Sequence, residues 1–385
     1  MRFNDDLYGM VEIPDFIAPL LHTKEARRLD AITQSVLPNE LMPYGPISSR
    51  LEHGLGVCFL AEIVLKNNPE LQHFRSIMPI ASLYHDGGSP TFSHLSEPFL
   101  KKLTGMDHEM FLKEILKNSE TEQILNLLGI QIDEIVDFVA GSVKPFAEVL
   151  NGSLDIDNLD NVGRYNLAAQ CGAESFDALK IAASFRFMDG EWTLLDSCLD
   201  EVKKWQNARR AVYQKIYSKT HLSIAMVVYR AVEIAFRENE LSKDFFFLDD
   251  RGGIDYLRNC NAKTASLIER VLRREWYEEV IAYAFSNLVE LPNAMQAYMT
   301  AWDGRGAFAD LLTHKLGIPE EQICVYAGKS RDSKKITLPF VSKDGGRRYK
   351  HDNHFSIYRL KVYIPPELLN RAPEIRALVE QLLKK

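Results

Sequence analysis

The chain has 385 residues, 46% hydrophobic and 26% charged, which is enough apolar content to bury a large core and too much for a disordered chain. A formal net charge of −7 argues against a general nucleic-acid-binding surface, although a local basic pocket is invisible in a total. Single-stranded nucleic acid stays open as a partner without being indicated.

Taken in chain order, residues 1–14 read as extended, with Tyr8-Gly9 a turn and Val11-Glu12-Ile13 a short strand. Apolar spacing predicts helices over 23–35, 51–67, 75–86, 107–118, 120–128, 131–140, 157–170 and 175–187, then long amphipathic helices around 194–239. The expectation is a mostly α protein whose core, residues 1–240, is all-helical. Beyond about residue 240 helical patterns remain at 251–259, 262–273 and 305–315. β-rich runs join them at Gln322–Ala327, Ile336–Val341 and Phe355–Ile364, and a short helix closes the chain. Residues 241–385 are therefore expected to form an α+β unit packed on the core, as a lid or assembly element. The loop Gly345–His354, basic and histidine-containing, reads as a solvated hairpin loop; the alternative is a loop that reaches phosphates.

No stretch approaches the roughly 18–20 apolar residues of a membrane span, and the start, Met1-Arg2-Phe3-Asn4-Asp5-Asp6, has acidic residues where a secretory signal carries its apolar core. Cys58, Cys171, Cys198, Cys260 and Cys324 are odd in number, scattered and without CxxC spacing, so reduced thiols and a cytoplasmic location are expected.

The most informative residues are Leu83-Tyr84-His85-Asp86, preceded by Arg50-Leu51-Glu52-His53 and followed by Leu154-Asp155-Ile156-Asp157. His53, His85, Asp86 and Asp157 supply four ligands for a divalent metal. Imidazole with carboxylate suits Mn, Fe, Co, Ni or Zn, whereas an all-oxygen site favours Mg or Ca; Mg is a further option as a companion of bound phosphates. Such an ion leaves positions open for a water and a phosphoryl oxygen. Gly87-Gly88 reads as a helix stop after His85-Asp86, so three helix ends can meet at one ion. Asp155 and Asp160 compete with Asp157 as plain helix-start charges.

That ordered set, with Asp5–Pro14, His22–Gln34, Ser49–Val57 and Phe92-Ser93-His94, resembles the HD superfamily of metal-dependent phosphohydrolases, in the branch that contains the deoxynucleoside triphosphate triphosphohydrolases. The resemblance covers about residues 5–120 and 150–235. It implies a nucleotide substrate, cleaved to nucleoside and triphosphate by attack of metal-activated hydroxide on the α-phosphorus. It also implies His94 or His108 as general acid, oriented by Glu97, and Arg50 and Gln34 as contacts to phosphate and sugar. The stretch Arg209–Lys219 loosely resembles the family helix that supplies Arg209, Arg210, Tyr213, Tyr217 and Lys219 to substrate; a charged face over buried tyrosines is the plainer reading.

Several positions depart from the family pattern. Ser89 stands where a histidine is usual; Asn158, Asn161 and Tyr165 replace a lysine, a tyrosine and an acid; and Ser35 replaces a bulky apolar residue. A phosphodiesterase or nuclease on the same metal, and a nucleotide sensor without turnover, are the alternatives. A homo-oligomer is expected because closed symmetric assemblies are common.

Overall fold

In the computed structural model, which describes residues 1–331, 334–342, 344–349 and 357–384, the extended N-terminus is an antiparallel hairpin of Arg2–Asp5 and Gly9–Glu12. Helices then dominate to residue 272. The segment predicted as helix over 23–35 stops at Asp30, and residues 31–49 turn across the face of the core, tied to it by the Thr33–Ser49 bridge.

Two helices that carry site residues begin where a side chain caps them. Ser49 accepts the Glu52 amide at 3.1 Å while Glu52 accepts the Ser49 amide at 2.8 Å. This reciprocal cap starts the helix Arg50–Lys66. Asp155 accepts the Asn158 amide at 2.7 Å and starts Ile156–Ala168. His53 and Asp157 thus lie in first helical turns, where the cap holds the backbone. The helix Ile77–Tyr84 is buried along nearly its whole length and ends at His85.

The segment 175–187 departs from its helical pattern. Only Ala178–Ala182 is helical, and Phe185–Met188 pairs with Glu191–Leu195 as a hairpin. Its turn, Asp189-Gly190, has positive φ at both positions (54° and 83°), the geometry that matches strand twist in a two-residue connection. Phe340–Val341 adds to this hairpin in parallel, and Arg347–Arg348 pairs with Phe340–Val341, so the tail is stitched to the helical core.

Lys219–Arg237 is the spine of the molecule, with every residue from His221 to Ala235 buried. The helices Asp250–Cys260 and Ala262–Leu272 pack beside it and share its apolar cluster, which runs through Tyr277. A second cluster takes in residues from Val280 onward, while Cys324, Tyr326, Phe340 and Tyr363 of the same region belong to the first. There Glu278–Phe285, Tyr358–Ile364 and Cys324–Lys329 form an antiparallel sheet with Tyr358–Ile364 in the centre. The helices Asn293–Thr300, Gly304–Leu316 and Ala372–Lys384 supply residues to the same cluster. Buried Arg230 joins the two units, bonding Glu233 at 2.6 Å, Asp310 at 2.5 Å and the Glu320 carbonyl at 3.1 Å. Lys350–His354 of the basic loop, and Phe355-Ser356 of the last β run, lie outside the described residues. Among the described residues no helix is long and apolar enough to cross a membrane.

Candidate metal centre and its surroundings

His53 Nε2 lies 3.1 Å from His85 Nε2 and 3.1 Å from Asp157 Oδ1, and His85 Nε2 lies 3.5 Å from Asp157 Oδ1. Two donors each about 2.1 Å from a shared ion stand about 3.0 Å apart at right angles and about 3.4 Å apart at the tetrahedral angle. The three edges therefore have the size that one transition-metal ion requires.

The tautomers agree with that use. His53 Nδ1 donates to Asp160 Oδ1 at 2.7 Å, and His85 Nδ1 donates to the Ser82 carbonyl at 2.8 Å. Carboxylates and carbonyls only accept, so both imidazoles carry the proton on Nδ1 and turn Nε2 toward the shared point. Asp86 Oδ2 stands 3.8 Å from His53 Nε2 and 3.7 Å from His85 Nε2, within a small movement of the cluster, and is ion-paired with Arg50.

The electrostatics call for a cation. Burial opposes protonation of His85, yet Asp86 and Asp157 outweigh it and raise its pKa to about 9. Burial likewise opposes charge on His53, and the hydrogen bonds to Asp157 and Asp160 raise it. Burial works against the Asp157 carboxylate too, but His53 and His85 hold it well below the usual carboxylate range. Protons are drawn to the point where the donor set would hold an ion.

The proton-handling residues predicted from the sequence do come together. Phe92 and Ser93 have left-handed backbones (φ 61° and 53°), a conformation that costs non-glycine residues about 1–3 kcal/mol each. The surroundings hold it: Thr91 donates to the Phe245 and Leu248 carbonyls at 2.6 and 2.7 Å, and Ser93 Oγ accepts from Arg50 Nε at 3.2 Å. This turn presents His94, whose Nδ1 donates to Glu97 Oε1 at 2.7 Å. Burial pushes Glu97 up, but His94, helped by His108 and Arg50, brings it down to about 2. His108 begins the helix His108–Leu116 and is paired with Glu109 at 3.2 Å. Ser89, where the family pattern has histidine, is buried, and its carbonyl accepts from Arg28 at 2.8 Å.

The substrate candidates divide. Gln34 is buried and, among the described residues, its Oε1 has no hydrogen-bond partner. Arg209 Nη1 donates to Asn158 Oδ1 at 2.6 Å and its guanidinium lies 4.6 Å from the Tyr213 ring, so it stands one residue from Asp157. The Tyr217 hydroxyl accepts the Arg331 amide at 3.1 Å. Arg210 is exposed and leans on Asn207 at 3.4 Å, and Lys219 is ion-paired with Glu278. Neither of these two reaches the cluster through a described contact, because each has a local partner nearer to hand.

Sequence reasoning missed Asp160 as a support, together with Arg164 and Asp5 behind it; Asp157, Asp160 and Arg164 share a helix face by their spacing, which was the signal available. It also missed Lys334, which bonds the buried cap Asp155 at 2.9 Å from the tail, and the cluster of Tyr44, Tyr165 and His221. In that cluster the Tyr44 hydroxyl bonds Tyr165 and, at 2.9 Å, His221 Nδ1.

In its mostly helical core, where helix ends converge two histidines and an aspartate, the chain resembles the HD-type phosphohydrolases. No protein-family model matches it. It is similar to the deoxynucleoside triphosphate triphosphohydrolase SAMHD1 of Gallus gallus, 27% identical over 152 residues, 36% of this chain and 25% of that protein. The SAMHD1 homolog of Dictyostelium discoideum is 32% identical over 109 residues, 26% of this chain and 21% of that protein. The matched part of the chain thus spans a quarter or less of these curated relatives. Among solved structures, a hypothetical protein from Aquifex aeolicus superposes with a TM-score of 0.75 at 18% identity, over 97% of this chain and 99% of its own. A phosphohydrolase from Bacteroides thetaiotaomicron gives 0.69 at 16% identity, over 94% and 99%. The shared fold therefore extends through the α+β unit.

Proposed function

We propose that this chain is a metal-dependent phosphohydrolase acting on nucleotides, which cleaves a (deoxy)nucleoside triphosphate into nucleoside and intact triphosphate. The observation that carries the reading is the convergence of His53 Nε2, His85 Nε2 and Asp157 Oδ1 at 3.1–3.5 Å, with both Nδ1 atoms held by fixed acceptors. The names of the two sequence relatives point the substrate toward nucleotides. His53, His85 and Asp157 would hold the ion, with Asp86 the fourth ligand. An ion of the Mn, Fe, Co, Ni or Zn group supplies Lewis acidity toward a phosphoryl oxygen and acidifies a water.

The protein's own groups do the rest. Cleavage at the α-phosphorus adds the hydroxyl of water to phosphorus, breaks the bond to the 5′-oxygen and requires a proton on that oxygen. His94 serves as the donor: its Nδ1 is fixed on Glu97 Oε1, which leaves Nε2 as the atom to face substrate. His108, which acts on the same carboxylate, is the second candidate. Arg50 places a buried guanidinium beside the ligands, where it offsets anionic charge. Arg209, braced by Asn158 and Tyr213, extends that positive field toward the polyphosphate. Gln34 offers a buried acceptor to a sugar or base.

The test is a mass-resolved product assay on Mn-loaded protein with each of the eight common ribo- and deoxynucleoside triphosphates. Nucleoside with intact triphosphate is expected from at least one. Release of orthophosphate or pyrophosphate instead, or no turnover of any of the eight by metal-loaded protein, would overturn the reading. The second result would move the substrate search to cyclic nucleotides and strands.

A further inference from the structure

Behind His53 runs a buried chain of charges that the proposed chemistry does not use. The Asp160 carboxylate that accepts His53 Nδ1 also accepts Arg164 Nε at 2.6 Å, and Arg164 Nη2 reaches Asp5 Oδ2 at 2.6 Å. All four residues are buried. Asp5 is the last residue of the first strand of the N-terminal hairpin, and its other oxygen accepts the Leu7 and Tyr8 amides at 2.8 and 2.9 Å. The Arg164 guanidinium also lies 5.7 Å from the Tyr8 ring. Packing keeps the chain in place. A Cβ on Gly56 would stand 1.9 Å from Asp160 Oδ2 and 2.3 Å from Arg164 Nη2, so only glycine at that helix position admits the pair.

We propose that the N-terminal hairpin is part of the metal centre, with Asp5, Arg164 and Asp160 as positioning residues that fix the tautomer and aim of His53 and so set the affinity for the divalent ion. The inference rests on reading the His53, His85 and Asp157 cluster as a metal centre. Asp160 alone would be a carboxylate sealed from water, and Arg164 is what makes its charge tolerable. Arg164 in turn sits between two carboxylates, and its aim depends on Asp5. The turn amides hold Asp5, so the hairpin backbone is the fixed end of the chain and His53 the working end. Outer-shell partners of a ligating histidine commonly carry a 10–100-fold share of metal affinity. A purely structural role for the same residues would move stability and leave the bound ion unchanged.

The experiment is a Co²⁺ titration of the full chain in competition with a chromophoric chelator, read by dissociation constant and by the visible spectrum of the bound ion. Circular dichroism of each metal-free protein monitors folding. For Asp160→Asn we expect about 10–100-fold weaker binding with an altered spectrum, and for Asp5→Asn, which preserves shape and the turn acceptor, a weakening of about threefold to tenfold. Folded variants with the wild-type constant and spectrum would overturn the proposal. Should Asp160→Asn not fold, Asp5→Asn decides, together with the proton resonance of His53 Nδ1–H in metal-free protein. That resonance should be far downfield in the wild type and move in Asp5→Asn; an unmoved resonance counts against the proposal. Wild-type protein that takes up no Co²⁺ would instead fail the metal-centre reading itself.

Discussion

The two banks of the site are built in opposite ways. On the inner bank His53 is fully buried, with both nitrogens committed, one to Asp160 and the other to the shared point with His85 and Asp157. On the outer bank the side chains of His94 and His108 are about half exposed, at 52% and 46%, and are paired with Glu97 and Glu109. Metal ligation demands fixed lone pairs in a dry place, whereas a group that passes protons to substrate has to reach solvent and reload. On the proposed reading, the difference in burial sorts the histidines by task.

Removing a ligand should break the inner bank outright. Asp157→Ala is expected to lower metal affinity by more than about a hundredfold and turnover by more than about 10⁴-fold, with helical content retained. Metal analysis after gel filtration checks it. Touching the outer bank should separate the two roles. His94→Gln is expected to reduce kcat by roughly 10²–10⁴ with metal content unchanged, and Glu97→Gln to reduce kcat by a smaller factor. Loss of metal in either variant would merge the banks.

A smaller effect concerns His221, whose ring has left the competition for protons. Burial lowers its pKa to about 3, against about 6.5 when unfolded. The folded state keeps the ring neutral while the unfolded chain takes up a proton, so this contribution is complete above pH 6.5 and is lost as pH falls from there toward 3. Between pH 7 and pH 5 the loss is about 2 kcal/mol. Denaturant melts of wild type and His221→Gln at the two values should show the variant's stability falling by that much less. The smallest effect is expected at Lys219, which is paired with Glu278 outside the cluster. Lys219→Ala should cost less than about 1 kcal/mol and leave KM unchanged; a large rise in KM would bring Lys219 back to the substrate.

What was legible in the sequence follows the same division. His53, His85 and Asp157, which the fold brings together, could be read because their residue types suit a divalent ion and they lie at helix ends that carry cap and stop signals; Asp86, read with them, stands 3.7–3.8 Å from the two histidines. Their supports were harder. Asp160 was weighed only as a helix-start charge, since its partner His53 is 107 residues away in the chain, and Lys334 comes from 179 residues beyond Asp155. Local patterning also misled at 175–187, where apolar spacing suggested a helix while Asp189-Gly190, just beyond, marked a hairpin turn. Glu278–Phe285 was not assigned at all: its strand character comes from pairing with Tyr358–Ile364, a neighbour that no local window contains.

The central claim is that one divalent ion sits where the two banks meet. Anomalous diffraction from crystals grown with Mn²⁺ or Co²⁺ tests it directly. The account predicts a single strong peak within coordination distance of His53 Nε2, His85 Nε2 and Asp157 Oδ1. A saturated crystal with no peak at that point, or with its ion held only by surface carboxylates, would contradict it.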